Sequence, residues 1–532
     1  METDKFYLQK RTLFLILLFS TLTILSRVWM LDSSLNRVWW LWDDALYISV
    51  ADSLRKGQGF MINFLEYNDL VVRTYTPHKI LGYKYEVYES VSHPLRTHGP
   101  IYPMLLSFVF FMFSAEPSNW YYLAILTNMC ITVFIAIIMY FFALRIYDHT
   151  TALLSSIIVV LLPPVYWFSL RALPHPLLFL LTLLTFHVAN KASTYKMWFF
   201  TGILVALTHL TYPQGVLVFI ALFIWCMYKK YVKELLVMIT SYIVALFPWL
   251  LRNYLVFNDP FEGLAIPLKP ILMFFGIEYG SKFYVSVWSW SINPLNVIAY
   301  IPKELIGLYH MNYVLFLLPF TILGFFTLRD KKILVPQFLF VLFSFLSYIY
   351  LGFATSREFV ETKYLIPSFL LLLPLSIHGL LRVSHLAVRH LKKFLACVMI
   401  TMLLIVGAVN LTDFAISLDK SINKPFSEKA NERHFHEWLR SQNLVKEDDV
   451  VLTNAPHVLF LRTGLHGLLI PTKLLSNNSL VCYLINKYNV SYIVSYYSKI
   501  DKQFLSSYYD ITELYSSGNI FLYKVRFCSQ RS

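Results

Sequence analysis

The sequence predicts an α-helical polytopic membrane protein of about eleven spans, followed by a small C-terminal α/β domain on the extracytoplasmic side. Three observations predict it. Of 532 residues, 57% are hydrophobic and only 14% are charged, where a soluble chain carries about a quarter. Apolar runs of about 16 to 24 residues recur between short charged islands, the length of helix that crosses hydrocarbon. After residue 411 the composition turns to Asn, Ser, Lys and Asp, and short β-branched and aromatic runs replace the long apolar ones. The net charge of +14 follows from Lys and Arg gathered in cytoplasmic loops, so nucleic acid is not an expected partner.

The expected spans are 12–31, 121–144, 151–170, 175–190, 197–210, 213–228, 234–251, 313–328, 333–353, 364–381 and 394–411. The first, "TLFLILLFSTLTILSRVWML", is too long for a cleavable signal and lacks a small-residue cleavage site, so an uncleaved signal anchor is expected. Segment 98–114, "HGPIYPMLLSFVFFMFS", is apolar but short and carries Pro100 and Pro103. Charge decides its place. With Lys5, Lys10 and Arg11 inside, the islands "RIYDH", "KASTYK", "KKYVK", "RDKK" and "RVSHLAVRHLKK" also fall inside only if 98–114 does not cross. It is therefore expected to be juxtamembrane or re-entrant. The predicted domains are 1–411, with a long first outer loop at about 32–120, and an outer domain at 412–532, in which "DDVVLTN" and "YNVSYIVSYY" form strands and "EKANERHFHEWLRSQ" a helix. Cys130, Cys226 and Cys397 lie in apolar spans as packing residues. Cys482 and Cys528 have no disulfide spacing signature.

The first outer loop opens with "WWLWDDALYISVADSLRKGQGF". Leu46, Tyr47, Val50, Ala51 and Leu54 share one helical face, and Asp44, Asp52 and Arg55 the other, which predicts an amphipathic helix on the membrane surface. Asp43 stands where an N-cap belongs, so Asp43 and Asp44 read equally as cap and dipole partners. The loop closes with "HPLRTHGPIYP", which adds His93, Arg96 and His98. Ionisable groups near hydrocarbon are costly and are often functional. An aspartate and a histidine, here Asp43 and His98, also suit a divalent ion. The plain alternatives are an interfacial hydrogen bond for His98 and headgroup snorkelling for Arg96.

These stretches resemble the polytopic GT-C class of glycosyltransferases, which draw sugars from polyprenyl-phosphate carriers and include the protein O-mannosyltransferases and aminoarabinose transferases. The resemblance covers nearly the whole chain. "WDDALYISVADSLRKGQGF" resembles the acidic first-loop motif of that class and "THGPIYPMLLSFVF" the segment after it. "ALTHLTYPQG" is similar to a short luminal connection, and "FPWLLRNYLVFNDPF" to the end of a middle span. "ETKYLIPSFLLLLP" resembles the Arg-Tyr motif before a late span, and "DVVLTNAPHVLFLRTGLHGLLIP" the outer domain of the bacterial branch. There are departures: Lys363 stands where arginine is usual, Tyr212 where a base is common, His175 where aspartate is frequent, and His98 where some relatives have glutamate.

The resemblance implies a GT-C-like fold and sugar transfer from a polyprenyl-phosphate donor to an acceptor hydroxyl on a lipid, glycan or protein. It places the active site on the outer face of a bacterial plasma membrane. Displacement at the anomeric carbon needs a base for the acceptor and cations for the departing phosphate, and a single in-line attack inverts the centre. Carried over, Asp43 is the base and Asp44 its support. Arg96, Arg252, Lys363 and Tyr364 are the donor-phosphate group, and a divalent metal at Asp43 and His98 is the one cofactor considered. Arg252 and Lys363 read equally as interfacial anchors, Tyr364 as an interface marker, His209 as a hydrogen bonder within the bundle, and Glu358 and Glu361 as partners of Arg357 and Lys363. A transporter or flippase of a lipid-linked saccharide is the competing reading, which internal repeats and mid-membrane polar groups would favour.

Overall fold

The structure is a computed structural model of the chain, and it describes residues 14–28, 42–65, 91–96, 98–264, 312–328, 331–355, 365–386, 430–442, 444–446, 449–470, 478–496, 509–517 and 519–527. In chain order the elements are α1 (Phe14–Val28), α2 (Trp42–Arg55), β1 (Met61–Ile62), β2 (Phe64–Leu65), β3 (His93–Pro94), α3 (Ile101–Met112) and α4 (Pro117–Ile146). Then follow α5 (His149–Leu161), α6 (Pro163–Ser169), α7 (His175–Lys191), α8 (Tyr195–Thr211), α9 (Val216–Lys229), α10 (Val232–Phe257), α11 (Asn312–Thr327), α12 (Val335–Thr355) and α13 (Ile366–Leu386). The chain closes with α14 (Ala430–Gln442), β4 (Val450–Thr453), α15 (Pro456–Thr463), β5 (His466–Leu469), α16 (Asn478–Tyr488), β6 (Val490–Tyr496), β7 (Tyr509–Ser517) and β8 (Ile520–Phe527).

Two compact units divide these elements. The first comprises Met1–Leu31, Arg96–Tyr102 and Leu126–Asp419, and the second Asp32–Leu95, Pro103–Ile125 and Lys420–Ser532. Among the described residues, α4 and α10 are long and apolar enough to cross a membrane, and Phe14–Val28, Ile101–Met112, His149–Leu161, Pro213–Lys229, Val335–Ser347 and Ile366–Arg382 are shorter apolar helices. The twelve residues of α3 rise about 18 Å, against about 30 Å of hydrocarbon. The span expected at 394–411 lies outside the described residues.

Local chemistry sets the helix ends in the first unit. Asp148 caps α5, accepting from the backbone N–H of Thr151 at 2.9 Å. Leu162 stands before Pro163 and Pro164, adopts an extended backbone (φ −62°, ψ 125°), and separates α5 from α6. Helices pack closely where side chains are absent. A Cβ on Gly379 would lie 1.9 Å from the Phe320 carbonyl oxygen and one on Gly324 2.2 Å from that of Leu375, and beside them the Thr321 and Ser376 hydroxyls bond at 2.6 Å. That is small-residue packing of α11 on α13. Arg27 on α1 is fully buried. Its Nη2 donates to the Val160 carbonyl at 2.9 Å, its Nε to the Ser169 hydroxyl, and its guanidinium lies 4.9 Å from the centre of the Tyr166 ring. A charge removed from water is thereby satisfied by three partners on α5 and α6.

Polar contacts in this unit fall into two sets. In one, Arg145 Nη2 donates to the Asn190 carbonyl at 2.8 Å, and Asp148 lies 3.9 Å from His378 Nδ1. These join the "RIYDH" island to helix ends next to the islands "KASTYK" and "RVSHLAVRHLKK", which the charge pattern assigns to the same side. In the other, segments 96–99, 171–175, 209–215 and 252–264 meet, all assigned to the opposite side.

The second unit holds a six-stranded sheet in the order β2-β5-β4-β6-β8-β7. β2, β5, β4 and β6 pair in parallel, while β8 is antiparallel to β6 and to β7. The expected strands in "DDVVLTN" and "YNVSYIVSYY" are β4 and β6, and they are neighbours. The expected helix is α14. Leu452, Leu468, Val481, Leu484, Ile485, Ile493 and Tyr523 form its core, with Cys482 packed half-buried against it. Gly467 lies under α15, where a Cβ would come 2.8 Å from Pro456 Cα.

Strand β2 comes from the segment between α1 and α3, aligning Phe64 with Gly467 and Leu65 with Leu468. It satisfies an edge of β5 that would otherwise present unpaired backbone groups. Phe460 on α15 lies 5.4 Å from both the Phe64 and Trp120 rings, and Trp120 stacks on Phe110 at 6.1 Å. Phe460→Ala should cost about 3–5 kcal/mol, read as a lower thermal midpoint of the purified protein, while exposed Arg440→Ala should leave it within about 0.5 kcal/mol. An unchanged midpoint for Phe460→Ala would show that the loop strand is not held by this ring.

Candidate active site

The acidic helix α2 belongs to the second unit. Asp43 and Asp44 both lie in its first turn, just inside the start at Trp42. Asp43 is exposed and Asp44 fully buried. The amphipathic surface helix expected here is corrected by the structure, because the polar face is buried as completely as the apolar one: Ser49, Asp52 and Ser53 have no exposed surface. Periodicity reports only that a face is polar, and here that face is covered by its own loop. Asp52 is held by Arg55 at 2.7 Å and Lys56 at 3.0 Å, and Arg55 Nη1 reaches the Ala115 carbonyl at 2.8 Å. Asn63 donates its backbone N–H to the Ser49 hydroxyl at 2.8 Å and its Nδ2 to Ser53 at 3.0 Å, and its Oδ1 accepts from Ser92 at 3.0 Å. His93 pairs with Ile62 across β1 and β3, its Nδ1 3.1 Å from the Val91 carbonyl. Each of these side chains thus has at least one polar partner, as burial requires.

The first unit gathers the cations. Helix α10 ends at Asn258 in the left-handed conformation (φ 56°), its N–H bonded to the Tyr254 carbonyl at 2.9 Å. The chain then doubles back. Asp259 Oδ1 accepts from the Phe261 N–H at 3.0 Å, Gly263 takes φ 74°, and Asn253 Nδ2 donates to the Glu262 carbonyl at 3.0 Å. This turn presents the Glu262 carboxylate, 4% exposed, to Arg96 Nε at 3.0 Å. The Arg96 guanidinium carbon lies 5.1 Å from the centre of the Phe257 ring, and that of Arg252 lies 4.9 Å from the same centre. The two cations are therefore no more than about 10 Å apart. Arg252 also lies 4.7 Å from the Trp249 ring and donates to Asn253 Oδ1 at 2.9 Å.

Neighbouring segments close around this group. Gly99 nests on the "LTYPQG" connection, where a Cβ would meet the Leu210 carbonyl oxygen at 1.9 Å, and so fixes half-buried His98 beside it. Asn128 Nδ2 donates to the Leu173 carbonyl at 2.9 Å and to the Tyr102 hydroxyl at 3.0 Å. His175 stacks on Phe168 at 4.3 Å and lies 5.1 Å from Tyr212.

Of the residues expected from sequence, the structure thus brings Arg96 and Arg252 together and sets His98 in the same polar region of the first unit. Asp43 and Asp44 lie in the second unit. Lys363, Tyr364, Glu358 and Glu361 lie outside the described residues. Glu262 was not foreseen, although "NDPFEG" carries a turn signal and a carboxylate just past an arginine-bearing helix end. Among the described residues, no group of three or more His, Cys, Asp or Glu side chains comes together to hold a metal ion. Asp43 and His98, the expected pair, belong to different compact units.

No protein-family model matches the sequence, and no curated protein matches it. Solved structures do match. ArnT from Cupriavidus metallidurans in the apo state is 10% identical with TM-score 0.58, covering 95% of this chain and 97% of that one. The same protein bound to undecaprenyl phosphate is 11% identical with TM-score 0.55, covering 96% and 97%. The archaeal oligosaccharyltransferase AglB from Archaeoglobus fulgidus, with an inhibitory peptide and a dolichol-phosphate, is 12% identical with TM-score 0.55, covering 99% and 75%. A further structure of that archaeal enzyme, 14% identical with TM-score 0.54 and covering 96% and 72%, contains zinc and sulfate. Helices followed by a small C-terminal sheet, matched over nearly the whole chain, are the fold of these GT-C enzymes, and this chain shares it.

Proposed function

We propose that the chain is a membrane glycosyltransferase that moves a sugar from a polyprenyl-phosphate donor to an acceptor hydroxyl on the extracytoplasmic side, with inversion at the anomeric carbon. One observation carries this reading: Arg96 and Arg252 converge on the Phe257 ring, with Glu262 beside Arg96. A departing lipid phosphate needs concentrated, fixed positive charge, and guanidinium groups match phosphate oxygens in shape. The lipid phosphates bound by ArnT and AglB support the same substrate class.

In this proposal Arg96 and Arg252 hold the donor phosphate, with Lys363 and Tyr364 as further contacts. Asp43 takes the acceptor proton as the hydroxyl oxygen attacks the anomeric carbon and the bond to the phosphate oxygen breaks. Its exposure suits contact with an acceptor, and buried Asp44 supports the turn that carries it. No step is routed through a metal. The chain is proposed to cross a bacterial plasma membrane about eleven times, with 1–411 as the transmembrane domain and 412–532 as the outer one. Acceptors within reach of such a site are lipids, glycans or proteins.

A topology test uses a variant without native cysteines. A cysteine at exposed Gln58 should react with an impermeant thiol reagent in intact cells, and one at exposed Lys196 should not. Labelling at 196 would reverse the proposed orientation. The second test is catalytic. Purified protein supplied with polyprenyl-phosphate sugars should transfer sugar, and Asp43→Asn should lower the rate by about a hundredfold or more at normal expression, because the amide takes no proton. Asp44→Asn should lose less. A fully active Asp43→Asn enzyme would assign Asp43 to the helix dipole alone.

A further inference from the structure

We propose that Glu262 is a positioning residue that sets the Arg96 guanidinium for the donor phosphate, held in place by Asn253 and His209. This rests on the function proposed above. A carboxylate as buried as Glu262 is stable only when paired and hydrogen-bonded, and its partner is Arg96 Nε at 3.0 Å. A guanidinium is planar, so fixing Nε fixes the plane in which both terminal nitrogens lie. The Phe257 ring, 5.1 Å from the guanidinium carbon, borders the group a second time.

The turn that carries Glu262 is anchored at both flanks. Before it, Asp259 accepts the Phe261 N–H at 3.0 Å and the Glu262 N–H reaches the Asp259 carbonyl at 3.3 Å. Asn253 Nδ2 bonds the Glu262 carbonyl itself. Beyond it, the Leu264 carbonyl accepts from His209 Nε2 at 3.2 Å, while His209 Nδ1 lies 2.8 Å from the Tyr242 hydroxyl. A carbonyl only accepts, so Nε2 carries the proton and Nδ1 accepts from Tyr242. Three elements, α8, α10 and the turn, thus converge on the placement of one carboxylate.

Charge explains why a carboxylate belongs here. Arg96 and Arg252 share the Phe257 ring, and two cations so close repel one another. Glu262 offsets this repulsion through its pair with Arg96, and both guanidiniums lie on the ring. A residue that only neutralised Arg96 would weaken phosphate binding, and its removal would tighten it. A residue that positions Arg96 does the opposite, and the two roles part on that sign.

The experiment measures binding of undecaprenyl phosphate, without sugar, to the purified full-length protein and to Glu262→Ala, Glu262→Gln, Arg96→Ala and the double Glu262→Ala/Arg96→Ala variant, each with its thermal midpoint. Glu262→Ala should bind about tenfold more weakly, in line with one charge-assisted hydrogen bond. Glu262→Gln keeps an oxygen for Nε and should lose only about threefold. The double variant should bind no more weakly than Arg96→Ala, since the carboxylate acts through the arginine. Where Glu262→Ala fails to fold, Glu262→Gln decides alone: weaker binding at a normal midpoint supports the assignment. Wild-type affinity in a folded Glu262 variant, or tighter binding, overturns it while leaving the proposed function standing. No binding by the wild-type protein overturns both.

Discussion

The ion pair between Arg96 and Glu262 is the contact on which the polar end of the helical unit depends. Glu262 is not stable there alone, because a charge removed from water must be matched by another charge or by several hydrogen bonds. Together they tie the segment before α3 to the turn after α10. That turn is tied to α8 through His209 and Leu264, and α8 runs into the connection on which Gly99 rests. The cations expected to face a phosphate are thus mounted on a closed ring of contacts and not on independent loops. Fixed placement is what electrostatic stabilisation of a leaving group requires, since groups already oriented need no reorganisation as charge develops.

The same rule shapes the second unit. Asp52 is buried with Arg55 and Lys56, and Asn63 satisfies two serines of α2 while accepting from Ser92. The next residue, Phe64, enters the sheet beside β5 and packs on Phe460. The acidic helix and the C-terminal sheet are therefore one folded body. The orientation of Asp43 and Asp44 depends on residues some four hundred positions later in the chain.

Much of this was legible in the sequence. The long apolar helices follow from run length, and β4, β6 and α14 from their β-branched, aromatic and amphipathic patterns. Arg96 is marked by the cost of ionisable groups near hydrocarbon, and Arg252 by the resemblance of its segment to the end of a middle span. Other features left no readable signal. Periodicity in α2 separates polar from apolar faces but does not say whether water or a serine and asparagine network covers the polar one. Strand β2 is two residues long, below any pattern. The partnership of Glu262 with Arg96 spans 166 positions, a distance that local spacing does not encode.

The central claim is that the cations around Phe257 hold a lipid phosphate. The most direct measurement is an experimental structure of the protein with undecaprenyl phosphate. The account predicts phosphate density in contact with the Arg96 and Arg252 guanidiniums, with Glu262 still on Arg96 Nε. Density for the phosphate elsewhere, touching neither arginine, would contradict it.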